Sequence, residues 1–171
     1  MTDTNERQQT LETIRKYKYI SDMRFAMLTT VEANGVLRTR PMTTQQTEFD
    51  GDLWFFASKN SVQELEKQHK PQANAAYSDP EKNIYVSMSG QVEIVHDKQK
   101  IKQLWNPVVA AYFDKGADDP EVILICLHVD QVEYWDAPSS KTVRLFNLKS
   151  VVTGHHDDQG HHERVMISDQ R

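Results

Sequence analysis

The chain has 171 residues, of which 38% are apolar, and this length suits one domain with a single core. Its 20 Lys and Arg against 25 Asp and Glu give a net charge of −5. This net negative charge disfavours binding to nucleic acid or to an anionic membrane. No apolar run approaches the roughly 18 residues of a spanning helix, and the polar start lacks the apolar region of a secretory signal. A single cysteine, Cys126, permits no internal disulfide. We therefore expect a cytoplasmic protein.

The first part of the chain predicts one helix and three strands. Their ranges are Thr4–Tyr19 for the helix and Phe25–Val31, Val36–Thr44 and Leu53–Ala57 for the strands. The dipeptide Asn34-Gly35 tolerates the positive φ angles of a tight turn, which predicts a hairpin between the first two strands. Ser61 is placed to cap a short helix that Pro71 ends.

The second part contains the clearest strand pattern. From Ile84 to Ile94, apolar and polar residues alternate, which predicts a long antiparallel strand with one buried face. Gly90 interrupts it and indicates a bend or a close approach of two backbones. Two helices are predicted over Asp97–Trp105 and Pro107–Phe113, followed by a strand over Val122–Tyr134.

These elements favour a mainly β fold, an antiparallel sheet closed into a small barrel with a few covering helices. A doubly wound parallel sheet would need a regular alternation of strands and helices, and the sequence lacks it. We expect one domain over residues 1–148 and a polar, His-rich, mobile tail over residues 149–171.

Two arginines stand out in the second predicted strand. Arg38 and Arg40 are two residues apart, so a strand presents both guanidinium groups on one face. Pro41 lacks an N–H group and belongs at a sheet edge or a barrel opening. This combination suits an anionic ligand lying along a strand edge. The alternative is that both arginines are solvated surface charges, whose ion pairs contribute roughly 0–1 kcal/mol.

An aromatic strand over residues 53–57 leads into the start of a predicted helix. The N–H groups and the dipole at a helix N-terminus favour a phosphate, which the Ser61 hydroxyl and the Lys59 ammonium could assist. The alternative is that Ser61 only caps the helix.

Other residues give weaker signals. Trp105 and Trp135 stand near the ends of predicted elements, where a ring can stack on a flat ligand, although packing in the core is the commoner role. The pairs His155-His156 and His161-His162 predict adventitious metal binding and no designed metal site. Cys126 falls in an apolar strand, where a thiol is usually inert. The sequence has no catalytic triad motif, no Rossmann glycine motif and no P-loop.

Taken in order, several motifs resemble the general stress protein 26 branch of the pyridoxamine 5'-phosphate oxidase-like proteins. The resemblance runs from about residue 8 to about residue 148. Its motifs are the FAMLTT strand after a helix, Arg40-Pro41-Met42, Leu53-Trp54-Phe55-Phe56 leading to Ser61, YVSMSG over 85–90, Leu104-Trp105, Tyr112-Phe113 with Gly116 and Asp118-Asp119-Pro120, and Tyr134-Trp135-Asp136.

The resemblance implies an FMN-binding split β-barrel and a homodimer with two flavin sites at the subunit interface. It implies that Arg40 and Ser61 hold the FMN phosphate, with Arg38 or Lys59 assisting. The residues implied to run along the isoalloxazine and the ribityl chain are Arg40, Pro41, Met42, Thr43, Phe55, Phe56, Ala57 and Ser58. Trp105 and Trp135 would approach from the partner subunit or from the rim of the site.

In one place the chain departs from this family pattern. The family usually carries a lysine shortly after the serine, and this chain has Val62-Gln63. Losing one charge-assisted hydrogen bond costs roughly 1.5–3 kcal/mol, or about one to two powers of ten in affinity. We therefore expect either weaker FMN binding or compensation by Arg38 and Lys59.

For function, the resemblance implies a flavin-dependent oxidoreductase acting on a small electron donor or acceptor. Pyridoxamine phosphate oxidation is disfavoured, because the 134–144 stretch offers only Lys141 and Arg144 to a second phosphate. A non-catalytic flavin-binding or flavin-sensing protein is the alternative. A small barrel that binds oligonucleotides through exposed aromatic side chains is a third, which the net charge of −5 disfavours. No residue is identified as catalytic.

Overall fold

The computed structural model describes residues 23–45, 49–136 and 161–166, and for residues 136 and 161–166 it describes the backbone alone. The predicted helix over Thr4–Tyr19 lies outside this part of the chain. The described elements are β1 (Phe25–Val31), β2 (Leu37–Thr43), β3 (Asp52–Ser58), α1 (Lys59–Glu66), β4 (Gln72–Asp79), β5 (Ile84–Val95), α2 (Lys98–Leu104), α3 (Pro107–Ala110), β6 (Val122–Asp136) and β7 (His161–Met166).

The strands form one antiparallel sheet in the order β2-β1-β4-β5-β6-β3, with β7 paired to β6. The two ends of this order approach each other, because Thr44 forms an isolated bridge with Phe55 and the Gln45 N–H donates to the Trp54 carbonyl at 3.0 Å. The sheet therefore curls into a half-barrel. This confirms the predicted split-barrel fold. Pro41 lies in β2, the end strand on one side, as predicted for a residue without an N–H group.

The β1–β2 hairpin forms as the sequence predicts. Gly35 adopts a φ of 84°, which costs glycine little and other residues more. The Asn34 side-chain oxygen accepts a hydrogen bond from the Val36 N–H at 3.0 Å. Local chemistry therefore sets this turn and, with it, the register of β2.

Gly90 marks a close approach of two backbones, as predicted. The β5–β6 register shifts between Ser89 and Gly90. A Cβ atom at Gly90 would lie 1.8 Å from the carbonyl oxygen of His128. Only a residue without a side chain fits there without moving β6.

Strand β4 was not predicted from the sequence. Its residues, QANAAYSD, are mostly of types that are rare in strands. The alternation is nevertheless present, since Ala73, Ala75 and Tyr77 are buried and point into the barrel between β1 and β5. The preceding helix α1 also ends earlier than predicted, at Glu66, and the positive φ of 50° at Lys70 turns the chain into β4.

Strand β7 was not predicted either. It lies inside the segment interpreted as a polar tail and extends the sheet by pairing with the second half of β6. Backbone hydrogen bonds, which are independent of side-chain polarity, build this pairing. The rest of residues 149–171, including His155-His156, lies outside the described residues, and the mobility of that tail stays a prediction.

Two apolar clusters hold the sheet on its two faces. The inner one fills the barrel and contains Leu28, Phe55, Met88, Ile125 and Leu127. The outer one lies under α2 and α3 and contains Phe56, Ile101, Val109, Val122 and Leu124. Because the helices cover its outer face, β6 is apolar on both faces over residues 122–127, as the sequence pattern indicates. Among the described residues, no helix is long and apolar enough to cross a membrane.

Candidate functional site

Arg40 lies on β2 and connects it to β1 and α1. It lies opposite Leu28 in the β1–β2 ladder and so shares the inner face. Its Nη2 donates to the Thr30 hydroxyl on β1 at 3.1 Å, and its Nη1 donates to the Ser61 carbonyl on α1 at 3.1 Å. Its Nε is buried and has no hydrogen-bond partner. Two contacts therefore fix the guanidinium and leave one buried donor unsatisfied.

The surroundings of Arg40 favour an anion. Burial and the neighbouring Arg38 lower the pKa of Arg40, and Glu32 opposes them. A guanidinium keeps its proton throughout the physiological range, so the lowered pKa reports a positive charge that its surroundings stabilise poorly. A bound anion would relieve both the desolvation and the repulsion between the two arginines.

A small cavity of about 60 Å³ opens beside this guanidinium. The polar groups that line it include Thr30, Arg38, Arg40, Asn60, Ser61 and Gln68. The cavity therefore brings together Arg38, Arg40 and Ser61, three of the residues predicted to bind phosphate.

Two carboxylates also line this cavity, and each lies near a cation. Glu32 lies 3.7 Å from Arg38, and Glu64 lies 2.7 Å from Lys67. These pairs reduce the repulsion that an incoming anion would meet. Because Glu32 is partly exposed and the other three side chains are largely exposed, solvent screens the pairs and each contributes little to stability.

The start of α1 differs from the prediction. Ser58, at φ −84° and ψ 144°, is the N-cap, so the helix begins at Lys59 and Ser61 lies in its first turn. The prediction that Ser61 caps the helix was wrong, because β3 continues directly into α1 without a loop. The Ser61 hydroxyl donates instead to the Ser58 carbonyl at 2.7 Å. N–H groups of a first helical turn have no partner within the helix, and Asn60 and Ser61 bring that turn to the cavity.

Lys59 and Gln63 are exposed and do not line the small cavity. Gln63 donates its side-chain N–H to Asn60 at 3.0 Å. Of the two cations expected to compensate for the missing lysine, the structure brings Arg38 to the cavity and leaves Lys59 outside it.

The predicted ring-binding segments lie side by side, because the Thr44–Phe55 bridge joins the end of β2 to β3. Pro41 is exposed, Met42 packs partly against the inner cluster and Thr43 is half-buried. The side chains of Phe55, Phe56 and Ala57 are buried in the two clusters. A ligand along β3 could therefore contact its backbone and the half-buried Ser58, but not these aromatic rings.

The two tryptophans have different surroundings. The ring of Trp105 meets Phe56 edge-on, with centroids 5.6 Å apart, and belongs to the outer cluster. This is the core-packing alternative considered for Trp105. Trp135 is 36% exposed on β6 and lies opposite Tyr85, which is 41% exposed on β5.

The fold also assembles a polar group that the sequence analysis missed. His128 Nδ1 lies 2.8 Å from Asp52 Oδ1, and its Nε2 lies 2.9 Å from Glu93 Oε2. Burial disfavours the imidazolium, but the hydrogen bonds to Glu93 and Asp52 outweigh burial and raise the pKa of His128. Cys126 lies beside this histidine, and burial together with the nearby carboxylates raises the pKa of its thiol. No local motif signals this group, because its members come from three strands far apart in the sequence.

A larger cavity of about 380 Å³ lies between the end of α1 and β5. Glu66, Lys70, Val92, Glu93 and His128 are among the residues that line it. None of the predicted site residues does, so this cavity is separate from the arginine-lined one.

The fold defines a split-barrel protein with an arginine-lined cavity between β1, β2 and the start of α1. A sequence model of the family described as "Pyridoxamine 5'-phosphate oxidase like" matches residues 10–158. The chain belongs to this family.

Three similar proteins illustrate its relationships. A general stress FMN/FAD-binding protein from Xanthomonas citri is 30% identical, with a TM-score of 0.65 over 75% of this chain and 92% of that one. A candidate general stress protein 26 from Jannaschia sp. CCS1 is 24% identical, with a TM-score of 0.68 over 91% of this chain and 98% of that one. Protein bli-3 of Neurospora crassa is 27% identical over 135 residues, which cover 73% of this chain and 64% of that protein. The chain thus spans less than two thirds of this last relative.

Proposed function

We propose that the chain binds FMN and that Arg40 is the centre of its phosphate site. The observation that carries this proposal is the buried, unpartnered Nε of Arg40 beside a small polar cavity. A phosphate group offers several strong acceptor oxygens, and its charge-assisted hydrogen bonds to a guanidinium are stronger than neutral ones. The flavin-binding relative from Xanthomonas citri supports the same ligand class.

The donors around the cavity fit a phosphate group. Arg40 and Arg38 contribute two guanidinium groups, and Asn60 and Ser61 contribute polar groups from the first turn of α1. The contacts of Arg40 with Thr30 and Ser61 orient the guanidinium before any ligand arrives. Such preorganisation reduces the entropy lost on binding.

We propose that the rest of the cofactor lies along the joined ends of β2 and β3. The backbones of Arg40–Thr43 and Phe55–Ser58 offer peptide groups to the ring and the ribityl chain. The Thr44–Phe55 bridge holds these two segments next to each other. We propose that Trp135 approaches this cofactor from the partner subunit.

A homodimer is part of the proposal. The outer face of the sheet exposes Phe25 (66%), Met27 (47%), Tyr85 (41%) and Trp135 (36%). These residues lie on β1, β5 and β6, on the face opposite the inner cluster. Large apolar side chains grouped on one face are typical of an interaction surface. We propose that a second copy of the chain covers this face and completes each flavin site.

We further propose that the chain is an oxidoreductase acting on a small electron donor or acceptor in the cytoplasm. When bound, FMN supplies the electron and hydride transfer, and the chain supplies binding, orientation and exclusion of water. A non-catalytic flavin-binding protein is the alternative, because neither the fold nor the cavity identifies a group that transfers a proton.

The experiment is an FMN titration of the purified protein, followed by flavin fluorescence quenching. The wild-type protein should take up one FMN per chain. Arg40→Ala should weaken binding by about ten-fold or more, since a hydrogen bond to a charged group contributes roughly 1.5–3 kcal/mol. Arg24→Ala, an exposed arginine one residue before β1, is the matched control and should bind as the wild type does. Equal affinities for the two variants would show that the phosphate lies elsewhere.

Turnover is tested separately on the FMN-loaded protein. Stopped-flow reduction by NADH or NADPH, followed by reoxidation with a quinone, measures electron transfer through the flavin. Reduction and reoxidation faster than those of free FMN support the oxidoreductase. Tight FMN binding with rates no faster than those of free FMN supports the non-catalytic alternative.

A further inference from the structure

A second polar site lies on strands β3, β5 and β6, separate from the arginine-lined cavity. Cys126 and His128 are two residues apart on β6, so their side chains share one face of the sheet. Asp52 lies opposite His128 in the β3–β6 ladder, and Glu93 lies opposite Cys126 in the β5–β6 ladder. Three neighbouring strands thus bring an imidazole, a thiol and two carboxylates together.

The spacing of three of these groups fits a metal ion. The ligand atoms of Asp52, Cys126 and His128 lie within 4.8 Å of one another, with 2.8 Å from His128 Nδ1 to Asp52 Oδ1 and 3.8 Å from His128 Nδ1 to Cys126 Sγ. A tetrahedral zinc ion with bonds of about 2.0–2.3 Å holds its ligand atoms roughly 3.3–3.6 Å apart. The nitrogen–sulfur distance is close to this already. The carboxylate must move away from the imidazole by roughly half an ångström and come to within roughly 3.6 Å of the thiol, which the 36% exposed side chain of Asp52 permits.

Glu93 completes the arrangement without binding the ion. Its Oε2 lies 2.9 Å from His128 Nε2. When Nδ1 binds a metal, Nε2 carries the ring proton, and this N–H donates a hydrogen bond to a carboxylate. The hydrogen bond fixes the tautomer and the ring orientation. Asp50, Asp52 and Glu93 all act electrostatically on Cys126, and Lys100 is the cation that opposes them. The excess of negative charge favours a divalent cation.

We propose that Asp52, Cys126 and His128 bind one zinc ion per chain, with Glu93 as the positioning residue for His128 and a water molecule as the fourth ligand. Nitrogen, oxygen and sulfur ligands in a tetrahedral set are typical of zinc. Binding converts the Cys126 thiol to a thiolate and removes the Nδ1 proton that His128 shares with Asp52, and both protons are released to solvent. Without zinc, His128 hydrogen bonds to both carboxylates, as the structure shows.

Cobalt(II) is the probe, because a thiolate bound to cobalt gives a charge-transfer absorption band in the near ultraviolet. The parent protein is the full chain with His155, His156, His161 and His162 replaced by glutamine, which removes the adjacent histidine pairs. It should bind one cobalt per chain with this band, and zinc should displace the cobalt. The proposal would be overturned if the parent protein lacks this band, or if cobalt binds only to the chain that keeps the four histidines.

Four variants of the parent identify the ligands. Cys126→Ala should lose the sulfur band, and His128→Gln and Asp52→Asn should each weaken cobalt binding by at least ten-fold. Glu93→Gln should retain the band and weaken binding by about 10–100-fold, the range found when an outer partner of a metal ligand is replaced. His96→Gln, whose imidazole pairs with Glu66 at 2.6 Å, is the matched control and should bind as the parent does.

Circular dichroism shows whether each variant folds. Because Cys126 is buried and its replacement can disturb folding, the half-exposed Asp52 and His128 provide the second measurement. Unchanged cobalt affinity in folded His128→Gln and Asp52→Asn would overturn the proposal even if a sulfur band is present.

Discussion

The Nη1 atom of Arg40 lies 3.1 Å from the carbonyl oxygen of Ser61, which ties an edge strand of the half-barrel to the first turn of α1. The two residues are 21 positions apart and belong to different elements. Both residues line the small cavity, and their contact orients the guanidinium. Arg40 therefore connects β2 to α1, and it is also the residue proposed to bind the phosphate.

The lack of a lysine near the start of α1 should limit FMN affinity. Gln63 is exposed on α1, near the position where the family usually has a lysine. Gln63→Lys should strengthen FMN binding several-fold at low ionic strength, and added salt should reduce the gain, because salt screens exposed charges. Fluorescence titrations at two salt concentrations measure both effects. Gln99→Lys, on α2, adds the same charge away from the cavity and should leave the affinity unchanged. An equal gain in both variants would attribute the effect to net charge alone.

The close contact at Gly90 should make its replacement costly. A methyl group there would meet the His128 carbonyl at 1.8 Å, so Gly90→Ala must displace β6 or break the ladder. We expect a loss of about 1–3 kcal/mol in the free energy of unfolding, as for other overpacked sites. Urea denaturation measures it. Gly116→Ala is the control, since only its φ of 84° opposes the new side chain and nothing lies within 4 Å of it. A Gly90→Ala variant no less stable than Gly116→Ala would contradict the close approach.

A buried hydrogen bond should stabilise the closure of the barrel. The hydroxyl groups of Tyr77 on β4 and Thr44 at the end of β2 lie 2.7 Å apart, next to the Thr44–Phe55 bridge. Tyr77→Phe leaves the Thr44 hydroxyl buried without this partner, which should cost about 1–3 kcal/mol in thermal or urea denaturation. Replacing both groups, in Tyr77→Phe/Thr44→Val, should recover part of the loss. Tyr112→Phe, at a side chain 72% exposed, should have no measurable effect.

The hydrogen bonds of His128 to Asp52 and Glu93 should make the stability of the metal-free protein depend on pH. Its hydrogen bonds raise the folded-state pKa above the ordinary value, so the folded protein binds this proton more tightly than the unfolded chain does. The stabilisation is fully present below the unfolded pKa of about 6.5 and is lost as the pH rises through the folded pKa. Urea denaturation in EDTA at a series of pH values measures the slope. His128→Gln should remove this contribution, and His96→Gln should retain it.

The sequence predicted most of the fold wherever side-chain pattern and structure agree. The turn at Asn34-Gly35, the alternation after Ile84 and the interruption at Gly90 are local signals, and each is confirmed. The prediction missed β4, because alanine, asparagine and glutamine have little strand propensity. Pairing with β1 and β5 on its two sides stabilises this strand instead. It missed β7 because backbone pairing to β6 leaves no hydrophobic pattern in the sequence.

For the site, the sequence predicted which residues take part but did not predict which atoms they contact. Two arginines at alternate strand positions predicted a cationic face, and the structure places both of them at one cavity. The link from Arg40 to Ser61 could not be predicted, because it depends on how β2 and α1 meet in three dimensions. The Asp52–His128 pairing is non-local in the same way. The phosphate-binding role of these arginines stays a prediction.

The most direct test of the account is whether the Arg40 cavity binds the phosphate of FMN. Isothermal titration calorimetry of the wild-type chain should be compared for FMN and for riboflavin, which lacks the phosphate, and then repeated with Arg40→Ala. We predict that the wild type prefers FMN to riboflavin by at least ten-fold and that Arg40→Ala loses this preference while its affinity for riboflavin changes little. Equal affinities of the wild type for FMN and riboflavin, or a preference for FMN that survives in Arg40→Ala, would contradict the account.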